Sequence, residues 1–282
     1  MPTPRQSLEF LTVKTPLVYT VAVAIFALGS VVFGAEGATS PYTDAVGDID
    51  PSINTAGGTL DITGMEVSNT ATDVNFKLTV NGNVSTTDWG KFMIGIGSYN
   101  APLGEITGNG WGRPINLQYT PDGFPTAGGM DYWIGSWVDG GGGAQLWTYV
   151  GGTSGGGTGG AWSGPGSVGS FTFTAGATSE INYTVSLASL GLALGDQFTF
   201  DAYSSGGGDG DTAVDALANP NVAVTTWAGP YTSKPITFAG GGLNSYTVAV
   251  PEPTTGVMLG LASIAITAQI VRRQRRDARS EG

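Results

Sequence analysis

The sequence predicts an all-β protein, an antiparallel β-sandwich with a jelly-roll-like topology and about ten strands. Three observations support this prediction. Apolar and polar residues alternate with a period of two, β-branched and aromatic residues are common in these segments, and glycine-rich turns separate them. Two uncharged segments near the termini flank the β region, and we expect an N-terminal signal helix and a C-terminal transmembrane helix.

Short alternating segments predict the individual strands. In the clearest one, Val74, Phe76, Leu78 and Val80 are separated by polar residues. The predicted strands lie at Leu60–Val67, Val74–Val80, Phe92–Gly97, Tyr132–Val138, Gln145–Val150, Phe171–Phe173, Ile181–Leu187, Phe198–Asp201, Val222–Thr226 and Ser245–Val250. Ser186–Leu192 indicates a helical turn, and the glycine-rich residues 151–160 are typical of a flexible loop within one domain, 38–250.

The N-terminus has the pattern of a secretory signal peptide, which we place at residues 1–37. Arg5 and Lys14 precede an uncharged, mostly apolar stretch, Leu17–Phe33, and small residues follow it. Cleavage is expected after Ala35-Glu36-Gly37 or after the competing site Val32-Phe33-Gly34. A retained signal anchor is the alternative, because the apolar stretch is long for a cleaved signal.

The C-terminus, residues 251–279, has three parts in a fixed order. A Pro-Glu-Pro triplet, Pro251, Glu252 and Pro253, precedes the uncharged stretch 254–271. A membrane-spanning helix needs about 20 residues, with a lower limit near 17, so this stretch can just span. The arginines that follow it belong on the cytoplasmic side, which places the body of the protein outside. These arginines are Arg272, Arg273, Arg275, Arg276 and Arg279.

This triplet, span and arginine cluster resemble the PEP-CTERM sorting signal. The resemblance covers about a tenth of the chain and implies recognition by an exosortase, a membrane protease that removes the tail. It also implies a bacterial protein that is exported, anchored in the inner membrane as a precursor, and delivered to the cell surface or extracellular matrix. An ordinary tail anchor with a proline-bearing linker is the alternative interpretation.

Composition excludes several classes of function. Between Ala38 and Pro253, four basic residues stand against 18 acidic ones, and such a surface repels nucleic acid. The chain has no cysteine and no histidine, which excludes disulfides, Ser-His-Asp triads and histidine-based zinc sites. Any catalysis would depend on carboxylates, lysine, tyrosine, serine or a metal bound by oxygen.

Two aspartate-rich turns suggest calcium as a cofactor. Their side chains form two candidate sets: Asp209, Asp211 and Asp215, or Asp44, Asp48 and Asp50. Short spacings on glycine-rich turns can direct several carboxylates at one ion, and calcium accepts six to eight oxygen ligands. A solvated acidic loop is the alternative interpretation, and the spacing is not that of an EF-hand.

Tryptophans form a second candidate site. Trp133 and Trp137 each lie two positions from Gly135, one before it and one after it. In a strand, residues two apart share a face, so both indoles lie on the same face. With Trp111, and with Trp147 and Tyr149 beside it, this face would stack sugar rings if it were exposed. If the rings instead fill the core, they supply the burial that a chain without disulfides needs.

The body resembles, more weakly, the family-nine carbohydrate-binding modules and DOMON-like domains. The resemblance rests on "DAVGDID", "TDVNFKLTVNG" and "LGDQFTFDAYSSGGGDGDTAVDALA", and it implies a β-sandwich that binds carbohydrate. We therefore expect a non-catalytic, exported surface or matrix protein, with extracellular polysaccharide as a partner beside the signal peptidase, the secretion machinery and the exosortase. The alternatives are a displayed spacer without a ligand and a secreted carbohydrate hydrolase. In a hydrolase, two carboxylates among Glu105, Asp122, Asp131 and Asp139 would act as the catalytic pair.

Processing at both ends is the first testable prediction. We expect the cell-surface form to begin near Ala35–Thr39, because secretory signal peptides are removed on export. We expect it also to lack Arg272–Arg276, because the resemblance to the PEP-CTERM signal implies removal of the tail. Intact-mass measurement of protein purified from the cell surface checks this, with the unfractionated precursor as its control. A mass that includes both termini would refute the prediction.

Overall fold

The computed structural model describes residues 39–53, 55, 58–86, 88–98, 104–105, 108–117, 129–151, 159–219, 224–233, 243–250, 264–273 and 276. Residues Ala35–Glu252 form one compact unit. The predicted signal peptide, the Pro-Glu-Pro triplet and most of the glycine-rich loop lie outside the described residues.

The structure confirms the all-β prediction. The strands are β1 (Ser40–Thr43), β2 (Ile62–Asn69), β3 (Asp73–Asn81), β4 (Lys91–Ser98), β5 (Ile115–Asn116), β6 (Tyr132–Trp137), β7 (Gly143–Val150), β8 (Ala161–Ser167), β9 (Ser170–Thr174), β10 (Thr178–Ser186), β11 (Gln197–Ser205), β12 (Ala213–Ala216), β13 (Tyr231–Thr232) and β14 (Asn244–Thr247). The helical turn predicted near Ser186–Leu192 is a 3-10 helix at Ala188–Leu190. The predicted strand at Val222–Thr226 is wrong where it is described, because Val224–Thr226 are irregular.

The first sheet has the strand order β1-β2-β3-β10-β9, and all its pairs are antiparallel. Its residues follow the predicted alternation. Val74, Phe76, Leu78 and Val80 are buried on one face, while the polar residues between them are only partly buried. One face of this sheet therefore contributes to the core and the other is polar.

The second sheet has the order β12-β11-β4-β6-β7-β8, and β14 also pairs with β11. Its central strands do not show simple alternation, since seven of the eight residues of β4 and eight of the nine of β11 are buried. One face packs on the first sheet: the ring of Phe76 lies 6.2 Å from those of Phe198 and Phe200. The other face must therefore be covered by other parts of the chain.

Loops and short strands cover this outer face. Asn109 Nδ2 donates to the Tyr203 hydroxyl at 2.9 Å, and Ser233 Oγ donates to the buried carboxylate of Asp201. The parallel pair of β5 and β13 joins the covering segments to each other. The second sheet is thus the middle layer of the described β region.

Strand β8 lies at one edge of the second sheet and, unlike the central strands β4 and β11, is mostly exposed. Six of its seven residues are exposed, and the pairing of β7 with β8 shifts register between Leu146 and Thr148. Pro165 lies in this irregular stretch and has no N–H to donate to a ladder.

Near the C-terminus, residues 264–273 and 276 are helical. In the described part of the chain, no helix has both the length and the apolar character required to cross a membrane. Residues 254–263 of the predicted transmembrane helix lie outside the described residues.

A tight contact within β6 gives the second prediction. The indole of Trp133 lies over Gly135, where an added Cβ would overlap the ring. Gly135→Ala should therefore lower the free energy of unfolding by about 1–3 kcal/mol, the usual cost of overpacking a core. Urea denaturation measures this change. Gly108→Ala is the matched control, because its Cβ would meet no atom within 4 Å; equal stability of the two variants would contradict the prediction.

Candidate metal centre

Three aspartates from separate segments converge in the structure. Asp44 follows β1, Asp48 lies in the next turn, and Asp215 belongs to β12. Each offers a carboxylate oxygen, and these oxygens all lie within 4.8 Å of one another. Among the described residues, this is the group of acidic side chains close enough together to share a metal ion. We call Asp44, Asp48 and Asp215 the aspartate centre.

The turn that carries Asp44 and Asp48 is fixed against the start of β2. The backbone N–H of Asp44 donates to the Thr63 carbonyl at 3.2 Å, and that of Gly47 donates to Asp61 Oδ2 at 2.8 Å. Gly47 has a φ of 81°, a left-handed conformation that favours glycine. These contacts hold the two carboxylates at the end of the first sheet.

Asp215 joins the centre from the second sheet. Its side chain is 1% exposed, and its Oδ2 accepts a hydrogen bond from the backbone N–H of Ile62 at 2.6 Å. Close by, Ser204 Oγ donates to the Leu60 carbonyl at 2.6 Å. The aspartate centre therefore lies where the beginning of β2 meets β11 and β12, and it links the two sheets.

Burial and mutual repulsion perturb the three carboxyl groups. Burial raises the pKa of Asp44 to about 8 and that of Asp48 to about 6, and neighbouring carboxylates add to both shifts. Burial and the charges of Asp44 and Asp48 raise the pKa of Asp215 well above its ordinary value. Within the described part of the chain, the ion pairs of Lys77 and Lys91 involve none of these three groups. No described ion pair thus compensates the charge of these three carboxylates.

Several oxygens here have no hydrogen-bond partner although they are buried. They are Asp44 Oδ2, both carboxylate oxygens of Asp48, and Asp61 Oδ1. A buried carboxylate is normally paired, hydrogen-bonded or bound to a metal. Since the ligands would all be hard oxygens, Ca²⁺ is the cation whose chemistry suits the centre. The same oxygens are shielded from solvent, which is typical of a structural ion rather than one that binds substrate.

The centre combines members of both predicted calcium sets and omits the rest. Asp50 is half-buried, and its Oδ1 accepts hydrogen bonds from Ser52 N and Ser52 Oγ at 2.8 and 2.6 Å. These bonds lower its pKa. Asp50 therefore stabilises its own turn and lies outside the group that converges.

The loop that carries Asp209 and Asp211 is held in place by the guanidinium group of Arg113. Arg113 is 4% exposed, and its Nη1 donates to the carbonyls of Gly206 and Gly208 at 2.6 and 2.9 Å. Asp211 Oδ2 accepts a hydrogen bond from Gly208 N at 2.7 Å. The guanidinium already supplies positive charge at this loop, so these two aspartates do not join Asp215. The sequence does not indicate this role of Arg113. Its hydrogen-bond partners are backbone carbonyls, and residue types alone do not show which carbonyls a side chain will reach.

The predicted aromatic face is divided between core and surface. Trp133 is fully buried, and its Nε1 donates to the Tyr203 hydroxyl at 2.6 Å. Trp137 and Trp111 are half-buried, with their rings 6.0 Å apart. Trp111 also meets Trp133 edge-to-face at 4.8 Å. Trp133 is therefore a core residue, whereas Trp111, Trp137 and Trp147 are half-buried.

Gln145 and Trp162 also belong to this group of side chains. We call the group the aromatic cluster; its members are Trp111, Trp133, Trp137, Gln145, Trp147, Tyr149 and Trp162. Gln145 Oε1 accepts hydrogen bonds from the indole N–H groups of Trp111 and Trp147, each at 3.3 Å. Trp162, which the sequence did not single out, lies 5.3 Å from Tyr149. Its position on β8 beside β7 could have been recognised only from the strand pairing.

The carboxylates considered for a hydrolase are engaged separately. Asp131 is 4% exposed and accepts a hydrogen bond from Ser98 N at 2.7 Å, whereas Asp139 forms an ion pair with Lys91 at 3.3 Å. Glu105 forms a backbone bridge with Met130, and Asp122 lies outside the described residues. None of the three described carboxylates belongs to the group that converges.

Of the predicted sorting residues, Arg272, Arg273 and Arg276 are exposed and helical. Pro251, Glu252, Pro253 and Arg275 lie outside the described residues. Comparison of the chain with protein-family models, curated proteins and solved structures finds no match. Functional inference therefore depends on the aspartate centre, the aromatic cluster and the terminal segments themselves.

Proposed function

We propose that the chain is an exported, non-catalytic surface or matrix protein whose two sheets form a calcium-stabilised β-sandwich. In this proposal the terminal segments direct secretion and exosortase sorting, as their resemblance to a PEP-CTERM signal suggests. The observation that carries the calcium assignment is the convergence of Asp44, Asp48 and Asp215 within 4.8 Å. The buried, unpartnered oxygens of the centre support it.

A calcium ion here would replace disulfides as the cross-link between distant parts of the chain. The chain has no cysteine, and the aspartate centre joins the turn after β1 to β12. An ion would compensate the repulsion among three carboxylates that no lysine or arginine of the described ion pairs neutralises. Extracellular modules commonly bind calcium with dissociation constants of about 10⁻⁴–10⁻³ M, a range suited to a displayed protein.

Calcium should raise the melting temperature of the purified full-length protein relative to chelator at matched ionic strength. A ligand that binds only the folded state stabilises it by about 2.7 kcal/mol at 100 times its dissociation constant. Asp48→Asn should abolish most of this shift, because both oxygens of Asp48 lack protein partners. Calorimetric melts measure both effects.

Asp209→Asn is the matched control for this experiment, since Asp209 is exposed and lies outside the centre. It should retain the full calcium-induced shift. Two outcomes would contradict the proposal: a parent protein that melts at the same temperature in calcium and chelator, or a shift that is lost in Asp209→Asn and kept in Asp48→Asn.

For polysaccharide binding, we propose Trp111 and Trp137 as the contact residues. Both rings are half-buried and lie 6.0 Å apart, and Trp111 in turn packs against Trp133 and donates a hydrogen bond to Gln145. Indole rings held rigidly in this way can stack on the apolar face of a sugar at little cost in conformational entropy. Trp133, which the sequence also suggested, supports this surface and is too buried to touch a ligand.

Trp137→Ala should reduce retention of the protein on its polysaccharide by at least about tenfold, which corresponds to the loss of a stacking contact worth about 1.4 kcal/mol or more. Affinity electrophoresis through a panel of neutral and acidic polysaccharides measures retention. Trp227→Ala is the control, because Trp227 is equally half-buried but packs against Trp89 instead. Parent protein that migrates freely through every gel, or equal retention of both variants, would refute the assignment.

A further inference from the structure

A long segment of the chain carries no charge. Residues 140–179 contain no aspartate, glutamate, lysine or arginine, and the charged residues on either side of this segment are Asp139 and Glu180. The region between Ala38 and Pro253 is otherwise strongly acidic, with 18 acidic residues against four basic ones. Two copies of the protein therefore repel each other least where they meet through residues 140–179.

The uncharged segment forms β7, β8 and β9 and contributes an edge strand to each of the two large sheets. The second sheet ends in β8 and the first sheet ends in β9. Val168 and Gly169 alone connect the two strands, so the two edges adjoin one another. An exposed sheet edge can pair with another chain unless something protects it.

The other edge strands of the two large sheets are protected against such pairing. Strand β1 contains Pro41, and β8 contains Pro165 and shifts register against β7. Strand β12 is buried along its whole length, and the Ser245 carbonyl of β14 accepts a hydrogen bond from the Tyr42 hydroxyl at 2.6 Å. Proline, irregular register and burial are the usual protections of an edge.

Strand β9 has none of these protections. It pairs with β10 alone and keeps a regular register along all five of its residues, Ser170–Thr174. Ser170, Thr172 and Thr174 are exposed. Among the residues that the structure describes, no backbone hydrogen bond occupies the outer side of this strand. Its backbone groups are therefore available to a further strand.

We propose that β9 pairs with β9 of a second copy of the chain, antiparallel and centred on Thr172. In this register Phe171 lies opposite Phe173, Ser170 opposite Thr174, and Thr172 opposite itself. All five residues then pair, and the apolar faces of the two sheets lie on the same side. A slip of one residue would turn the apolar face of one copy to the polar face of the other. The pair has twofold symmetry and uses the edge of both copies, so assembly ends at a dimer.

Two phenylalanines give this pairing an apolar layer. The rings of Phe171 and Phe173 are half-buried, with centroids 6.2 Å apart, and Phe171 lies 5.6 Å from Tyr183. Gly142 lies close to both rings, since a Cβ added there would be 2.7 Å from Phe173 and 3.0 Å from Phe171. In the dimer each Phe171 faces Phe173 of the second copy, and such cross-strand aromatic pairs stabilise antiparallel sheets.

The charge nearest to this edge in the ladder does not oppose the dimer. Glu180 lies opposite Thr174 on β10, and Lys77 Nζ lies 3.9 Å from its carboxylate. Because the two copies run antiparallel, their Glu180 side chains lie at opposite ends of the joined strands, with both β9 strands between them. Salt screens exposed charges that are separated by more than about 8–10 Å.

Thr172→Cys tests the position of the symmetry axis. The chain has no cysteine, so this variant of the full-length protein carries a single thiol. Directly opposite residues of an antiparallel pair have Cα atoms about 4.5–5.5 Å apart, within the range of about 4.4–6.8 Å that a disulfide spans. Mild oxidation should therefore give a covalent dimer on non-reducing electrophoresis. Ser163→Cys is the matched control, because Ser163 is equally exposed but lies on β8, and it should remain monomeric.

Thr172→Lys tests the dimer without a covalent bond. Two lysines directly opposite one another should raise the dimer dissociation constant at least about tenfold, because like charges destabilise antiparallel pairing. Analytical ultracentrifugation of the full-length protein over a series of concentrations measures this constant. Leu194→Lys adds the same charge at a residue that is 39% exposed and precedes β11, and it should dimerise as the parent does.

A dimer that Thr172→Cys captures and Thr172→Lys weakens supports the proposal. Three results would overturn it: a parent that sediments as a monomer up to its solubility limit, a Thr172→Lys variant that dimerises as strongly as the parent, or equal cross-linking of Thr172→Cys and Ser163→Cys. None of these measurements involves calcium or polysaccharide, so their failure would leave the proposed function intact.

Discussion

The burial of Trp133 and Tyr203 on the outer face of the second sheet determines how the rest of the β region is arranged. The indole N–H donates to the phenol oxygen, so two large rings satisfy each other's polar groups within an apolar layer. Such rings require a cover, and residues 108–117 and 129–130 contribute to it through Asn109 and Met130, which both contact the Tyr203 hydroxyl. The second sheet is thereby enclosed on both faces, and its polar residues must find partners within the protein.

The aspartates illustrate this requirement. Asp201 lies on the covered face and accepts from Ser233 and from Ala218 N, so its charge is met by hydrogen bonds. The loop of Asp209 and Asp211 is fixed by Arg113. In the aspartate centre, Asp215 accepts a hydrogen bond from Ile62 N, but Asp44 Oδ2 and both carboxylate oxygens of Asp48 are buried without a hydrogen-bond partner, and no described ion pair includes any of the three. This difference separates a group that suits an external cation from acidic residues that serve the fold.

Alternation along the chain was sufficient to predict β3 and β10, because one face of each is buried and the other is polar. It could not predict that β4 and β11 are buried on both faces, since that depends on loops distant in sequence. The candidate sites follow the same division. Asp44, Asp48 and Asp215 were each predicted as ligands, but their combination depends on how β2 meets β12. Trp133 could be assigned to the core only once its cover was known.

The edge strand β8 has a consequence for how many copies of the protein can lie side by side. Edge strands with free backbone groups invite pairing with a neighbouring molecule, and proline and β-bulges discourage it. In β8, Pro165 has no N–H to donate, and the pairing with β7 shifts register between Leu146 and Thr148. Wherever copies of the protein meet at high concentration, this edge therefore opposes growth of the sheet from one molecule into the next.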